Sequence, residues 1–119
     1  MSYLVHFDRA HNADLQSWIP WFQGDALLGY VQERFKERGL SFGLWQESEL
    51  GLVIPSLSEG DLNQTFARFA KEVYEDGLLH SWVGEPFPVK ASVNDPTRFV
   101  MERTLTAPLG CLTFGVHLN

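Results

Sequence analysis

The sequence is poor in cysteine and in basic residues. Cys111 is its one cysteine, so no disulfide can form within the chain, which fits a reducing compartment. Nine Lys and Arg stand against 15 Asp and Glu, and the net charge of -6 argues against binding to a nucleic-acid backbone. The basic cluster Arg34, Lys36 and Arg38 is interleaved with glutamates, a pattern typical of a solvated helix face.

Long apolar runs and targeting signals are also missing. No stretch approaches the ~20 apolar residues of a membrane-spanning helix, and the first residues lack the pattern of a secretion signal. We therefore expect no membrane partner, no nucleic-acid partner and a cytoplasmic location. The chain is rich in apolar side chains, at 45% hydrophobic and 13% aromatic residues, which is enough for one core. We expect a single domain over residues 1–119.

Recognisable catalytic and metal-binding motifs are absent as well. The sequence has no nucleophile elbow, P-loop or dinucleotide fingerprint. Cys111 has no basic neighbour that would lower the pKa of its thiol, and we expect it to be a buried residue that only fills space in the core. We therefore expect no catalytic residue, metal ligand or cofactor in this chain. The side chains weighed as metal ligands, and interpreted instead as structural or solvated, are His6, His11, His80, His117, Glu47, Glu49, Glu59 and Asp61.

Two apolar runs near the start predict a β-hairpin. Residues 18–23 and 26–32 flank Gly24-Asp25, a two-residue turn signal. Pro20 cannot donate a ladder hydrogen bond, which places the first strand at a sheet edge. Residues 3–9 are a weaker candidate for a short helix.

The middle of the chain predicts a short helix, a second hairpin and a long helix. The short helix covers residues 33–38 and is ended by Gly39. The hairpin joins residues 42–46 to 50–54. The long helix runs over residues 59–76 after an N-cap at Ser58 and before Gly77. Its predicted apolar stripe comprises Leu62, Phe66, Phe69, Ala70, Val73 and Tyr74.

Short strands are expected in the last third. They cover residues 89–93 and 99–104, and two prolines at 86 and 88 predict a stiff connection before them. Residues 112–119 alternate strictly between apolar and polar, so the chain ends within a predicted strand and reads as one module of a longer protein. The order of elements predicts an α+β fold: a mainly antiparallel sheet of hairpins, with one long amphipathic helix packed on one face and one or two short helices.

Two features remain open between a structural and a ligand-binding role. Glu102 and Arg103 adjoin in an apolar setting, where each forms an ion pair within the domain or contacts a ligand. The four tryptophans pack in the core or stack on a flat ligand. Trp82, beside Gly84 and the prolines, is the best candidate for an exposed ring.

A family resemblance is carried chiefly by the last twenty residues. The segments Phe99-Val100-Met101-Glu102-Arg103, Ala107-Pro108-Leu109-Gly110 and Gly115-Val116-His117-Leu118-Asn119 resemble the end of an uncharacterised domain. That domain precedes the catalytic domain of Nudix hydrolases described as thiamine-pyrophosphokinase-related. Residues 28–35 and 78–89 resemble two further segments of it. Val83 departs from the family, which has Arg there, and Phe87 stands in place of Tyr.

The resemblance implies a parent protein that cleaves a diphosphate linkage with Mg²⁺ or Mn²⁺ held in a catalytic domain that this chain lacks. The Nudix box, whose glutamates bind that metal, does not occur in the sequence. We therefore expect a non-catalytic N-terminal accessory domain that shapes the cleft for a thiamine-diphosphate-like or nucleotide-like substrate. The candidate contacts are Trp82, Glu102, Arg103 and His117.

The expected partners are the chain's own C-terminal Nudix domain and a small diphosphate-containing ligand, and a homodimer is a further candidate. The alternative function is a dimerisation or protein-interaction module with no ligand of its own, since an exposed terminal strand can pair with a neighbouring edge.

Overall fold

The computed structural model describes residues 18–111. The predictions for residues 3–9, for residues 112–119 and for His117 lie outside this range. Within it, the chain forms two α-helices, six strands and a short 3-10 helix. In chain order these are β1 (Trp18–Gln23), β2 (Ala26–Gln32), α1 (Glu33–Phe42), β3 (Gln46–Glu47), β4 (Leu52–Val53), α2 (Glu59–Glu75), β5 (Pro86–Val89), β6 (Phe99–Glu102) and the 3-10 helix Arg103–Leu105.

The first hairpin is confirmed, but the edge position of β1 is wrong. β1 pairs antiparallel with β2 on one side and parallel with β4 on the other. Tyr30 lies opposite Pro20 and donates its N–H to Gly110, on the side away from β1. The two residues therefore form a non-hydrogen-bonded pair of the ladder, in which the nitrogen of Pro20 faces away from β2. β4 pairs only with Trp21 and Phe22. Pro20 therefore removes no hydrogen bond from either ladder.

Helix α1 is longer than predicted because Gly39 lies inside it. The helix continues to Phe42 and ends at Gly43, whose left-handed backbone donates to the carbonyls of Gly39 and Leu40. The indole of Trp45 packs against Gly39, where a Cβ would lie 2.5 Å from Trp45 Cε2. The lack of a side chain at Gly39 thus allows the Trp45 indole to pack closely against the helix backbone. The second hairpin forms between β3 and β4, but its first strand is shorter than predicted and shifted, because Phe42 still belongs to α1 and the strand begins at Gln46.

The long helix α2 is confirmed almost to the residue. Ser58 Oγ accepts a hydrogen bond from the Asp61 N–H, as an N-cap does, and Gly77 has a left-handed backbone just after the helix. Five of the six predicted stripe residues are buried: Leu62, Phe66, Phe69, Ala70 and Val73. Tyr74, the sixth, is 44% exposed, because it lies at the margin of the stripe.

The strand predicted over residues 89–93 is wrong, since β5 contains the two prolines and ends at Val89. Arg103 donates its backbone N–H to the Glu85 carbonyl. This bond shows which residue pairs of the β5–β6 ladder exchange hydrogen bonds and which do not. Pro86 and Pro88 occupy the positions whose nitrogens face away from β6. Proline is tolerated there because no ladder hydrogen bond needs its missing donor.

Strand β6 is also shorter than predicted, because the chain enters the 3-10 helix at Arg103. The β5–β6 pair forms a two-stranded sheet separate from the sheet β2-β1-β4-β3. On the side of β6 away from β5, the N–H of Val100 donates to Asn63 Oδ1 of α2 at 2.7 Å. The helix therefore covers this edge, a role that the sequence did not indicate for Asn63.

Aromatic rings join the layers of the core. The Phe66 ring of α2 lies 5.9 Å from the Trp21 ring and 4.6 Å from the Phe99 ring. Trp21 also donates through Nε1 to the Leu109 carbonyl at 2.8 Å. These contacts connect β1, α2, β6 and the turn near residue 109, and the α+β class is confirmed.

The turn over residues 107–110 runs beside β2. Tyr30 donates to the Gly110 carbonyl and Gln32 to the Pro108 carbonyl, so these residues cover the outer edge of β2. Gly110 has a φ of +56°, and a Cβ there would collide with the Tyr30 carbonyl. The Ala-Pro-Leu-Gly segment that carries the family resemblance thus has a structural function. Among residues 18–111, neither helix has the length and apolarity needed to cross a bilayer.

Candidate functional site

Trp82 is the most exposed of the four tryptophans, as the sequence predicted. Trp21 and Trp45 are buried and Trp18 is half-buried, whereas Trp82 is 41% exposed. Its ring lies 5.4 Å from the ring of Tyr74, at an angle of 46°. Tyr74 is at the last turn of α2, so an exposed aromatic pair forms between the helix and the segment that follows it.

The Glu102 carboxylate holds the segment that carries Trp82. Its Oε2 accepts from the Val83 N–H at 3.0 Å and its Oε1 accepts from the Gly84 N–H at 3.1 Å. Thr104 supplies two further donors to Oε2, its N–H and its hydroxyl. Glu102 is 8% exposed and β6 places it facing the segment. A buried carboxylate requires such donors to be stable without a cation.

These hydrogen bonds also set the ionisation of Glu102. Burial by itself raises the pKa of this carboxyl group, since it disfavours the charged form. The hydrogen bonds from Val83, Thr104 and Gly84 act in the opposite direction and lower the pKa below its ordinary value. Glu102 is therefore an anion at neutral pH.

Arg103 lies on the other side of the same segment and pairs with Glu85. Its Nη1 is 2.9 Å from Glu85 Oε1, and both side chains are about 60% exposed, at 62% and 59%. An ion pair in this much solvent is weak. Arg103 can therefore exchange its partner for another anion at low cost.

The two departures from the family pattern occupy different environments. Val83 is 56% exposed and only its backbone is held, by Glu102. A longer side chain at this position would extend into solvent beside Trp82. Phe87 is half-buried and packs against the core.

A concavity of about 380 Å³ lies elsewhere, at the turn between β3 and β4. Lys36 is the basic side chain in its lining, and Lys36 Nζ is 3.2 Å from Glu47, 3.7 Å from Glu33 and 3.8 Å from Glu37. The hydrogen bond to Glu47 raises the pKa of Lys36. Because three carboxylates already surround this lysine, the described lining residues offer no free cation to an anionic ligand.

The acidic residues considered from the sequence do not converge. Glu47 pairs with Lys36, while Glu59 and Asp61 lie in the first turn of α2, where a negative charge is favourable. Within residues 18–111, no three His, Cys, Asp or Glu side chains gather as metal ligands do. Burial raises the pKa of the Cys111 thiol, which disfavours the reactive thiolate.

Comparison with known proteins gives one partial similarity. No protein-family model matches the chain. Nudix hydrolase 20, a chloroplastic protein of Arabidopsis thaliana, is 27% identical over an alignment of 117 residues, and the match covers 88% of this chain and 31% of the relative. The chain is similar to part of a Nudix hydrolase. It spans about a third of the length of that relative.

Three of the four candidate site residues lie around one segment, residues 82–85. Trp82 begins it, Glu102 binds its backbone and Arg103 binds Glu85. His117 lies outside the described residues. Contact of these side chains with a substrate stays a prediction. Tyr74 was missed because its place at the end of an apolar stripe indicated core packing.

Proposed function

We propose that this chain is the non-catalytic N-terminal accessory domain of a Nudix hydrolase and that it shapes the cleft for a diphosphate-containing substrate. Three observations support the proposal: the partial similarity to Nudix hydrolase 20, the absence of the Nudix box from the sequence, and the surface around residues 82–85. Of these, the similarity over a third of a longer hydrolase carries the most weight.

In this proposal the partner is the C-terminal Nudix domain of the same polypeptide. That domain would supply the glutamates and the Mg²⁺ or Mn²⁺ that activate water for attack on a diphosphate. This chain would contribute a wall of the substrate cleft, with Trp82 and Arg103 towards the ligand and Glu102 behind them. The thiamine-diphosphate-like or nucleotide-like nature of the substrate is part of the proposal.

A pair of assays tests the proposal. The 119-residue chain, incubated with Mg²⁺ or Mn²⁺ and a diphosphate substrate, should release no product at an enzyme-like rate. A chimera in which this chain replaces the aligned third of Nudix hydrolase 20 should retain diphosphate cleavage. Turnover by the isolated chain, or a folded chimera with no activity, would contradict the proposal.

The alternative of a dimerisation module without a ligand predicts a different result. Sedimentation of the isolated chain would then show a tight dimer. The terminal strand on which this alternative rests lies outside the described residues. The outer edge of β5 is a poor substitute for it, since Pro86 and Pro88 provide no donors at those two positions.

A further inference from the structure

We propose that Trp82 and Tyr74 together form the contact surface for a planar aromatic ring of the substrate, and that Glu102 is the positioning residue that holds this surface in place. The inference rests on the proposed function, since it names the chemical class that the same site accepts. It adds Tyr74 to the site and gives Glu102 a role that does not require contact with the ligand.

The geometry of the two rings suits stacking on a ligand. A centroid distance of 5.4 Å with a tilt of 46° is an ordinary aromatic contact, which holds the indole against the end of α2. Both side chains nevertheless keep more than two-fifths of their surface in solvent. An aromatic face that is held on one side and free on the other can stack on a flat ring.

The size of the exposed surface suits a small ligand. An aromatic side chain covers about 150–250 Å² when fully buried, so the two exposed fractions leave roughly 100 Å² or less on each ring. A stable protein interface needs about 800 Å² on each partner. The two rings expose far less area than such an interface buries, even with the neighbouring exposed Val83, and the area of the rings matches that of one planar ring.

Backbone hydrogen bonds hold the aromatic surface in place. Val83 and Gly84 directly follow Trp82, and both donate their backbone N–H groups to the buried Glu102. Glu102 belongs to β6, and Thr104 fixes its carboxylate from the other side. The indole is therefore held in two ways, by its contact with Tyr74 and by the hydrogen bonds of the following backbone to Glu102. Such preorganisation lowers the entropy cost of binding a ligand.

The position of Arg103 suits a diphosphate group. Arg103 pairs with Glu85, which lies three residues after Trp82. The ion pair is exposed and therefore weak. A diphosphate group would bind this guanidinium through charge-assisted hydrogen bonds, bidentate where geometry allows. A molecule that joins a planar ring to a diphosphate thus suits the two ends of the same segment.

Tryptophan fluorescence can test the proposal on the isolated chain. Trp21 and Trp45 are buried, so a Trp18→Phe background leaves Trp82 as the indole open to solvent. ADP should quench this fluorescence saturably, whereas inorganic pyrophosphate, which has no ring, should not. Tyr74→Leu should weaken the ADP response at least fivefold. Val93→Ala, an exposed apolar residue elsewhere on the chain, should leave it unchanged.

The role of Glu102 needs a readout that separates positioning from folding. Glu102→Gln should weaken ADP binding and raise the accessibility of Trp82 to acrylamide, with unchanged far-ultraviolet circular dichroism. If that variant does not fold, Thr104→Val removes the hydroxyl donor to Glu102 and should give the same changes in smaller measure.

The proposal is overturned if ADP gives no saturable response, if pyrophosphate gives the same response, or if Tyr74→Leu binds ADP as the unmodified chain does. A Glu102→Gln variant that binds normally overturns the positioning role. These failures are distinct from failure of the accessory function, which appears as turnover by the isolated chain or as an inactive folded chimera.

Discussion

The Trp45 indole lies against the backbone of Gly39 and donates through Nε1 to the Lys36 carbonyl at 3.2 Å. A Cβ on Gly39 would lie 2.5 Å from both Cε2 and Nε1 of that indole. Alanine normally stabilises a helix interior by about 1 kcal/mol over glycine. At this position we expect the reverse, a loss of about 1–3 kcal/mol, because the rigid ring must be displaced.

Chemical denaturation of Gly39→Ala measures this effect, and Gly60→Ala is the matched control. Gly60 is also helical, but apart from its chain neighbours and the adjacent helix backbone, no described atom lies within 4 Å of a Cβ built there. Gly60→Ala should therefore stabilise the chain by up to about 1 kcal/mol. Equal effects of the two substitutions would contradict the close-contact explanation of Gly39.

Trp21→Phe tests the hydrogen bond that ties β1 to the turn near residue 109. The change leaves the buried Leu109 carbonyl without the Nε1 donor and also opens a space in the core. We expect a loss of about 2–4 kcal/mol, the sum of an unsatisfied acceptor and reduced packing. Trp82→Phe, at an exposed ring, should change the free energy of unfolding by about 0.5 kcal/mol or less.

Glu102 predicts a specific dependence of stability on pH. Since the folded-state pKa is lowered, the carboxylate stabilises the fold above its unfolded-state value near 4.5, and this contribution is lost as the pH falls through and below that value. The stability difference between the unmodified chain and Glu102→Gln should be constant near pH 7 and shrink below about pH 4.5. A difference that grows in acid would contradict the assigned direction. Glu85→Gln, at an exposed carboxylate, serves as the control.

Arg38 predicts a dependence on salt. It joins α1 to α2 by pairing with Glu72 at 2.8 Å and with Asp76, and these bonds raise the pKa of Arg38. The acidic partners are about half exposed, so Arg38→Met should cost no more than about 1 kcal/mol. Denaturation in 1 M salt should reduce that cost, since surface ion pairs are screened. A cost independent of salt would indicate packing by the arginine stem instead.

Local sequence signals predicted those elements whose determinants lie within a few residues. The Gly24-Asp25 turn, the Ser58 cap and the stripe of α2 all belong to this class. The errors arose where a distant residue decides the outcome. Gly39 indicates a helix end in the sequence, because the packing of Trp45 against it is not visible there. Pro20 indicates an edge strand, because the sequence does not show which residues of β1 donate hydrogen bonds to a neighbouring strand.

The candidate site shows the same division. Trp82 was identified because nearby glycine and prolines keep its segment extended, and its exposure followed. The clamp between Glu102 and the backbone at Val83 spans nineteen residues of sequence, and no spacing rule predicts it. Tyr74 was assigned to the core because periodicity gives the direction of a side chain but not the extent of the layer above it.

The prolines of β5 have a consequence for self-association. A foreign strand approaching that border would meet carbonyl acceptors at Pro86 and Pro88 and no amide hydrogen at either, so it could complete only half of the usual ladder there. Replacing both prolines with valine would restore two donors at this edge and allow a neighbouring strand to form the full set of hydrogen bonds there. The two prolines therefore hinder strand addition to the small sheet without loss of the hydrogen bonds between β5 and β6.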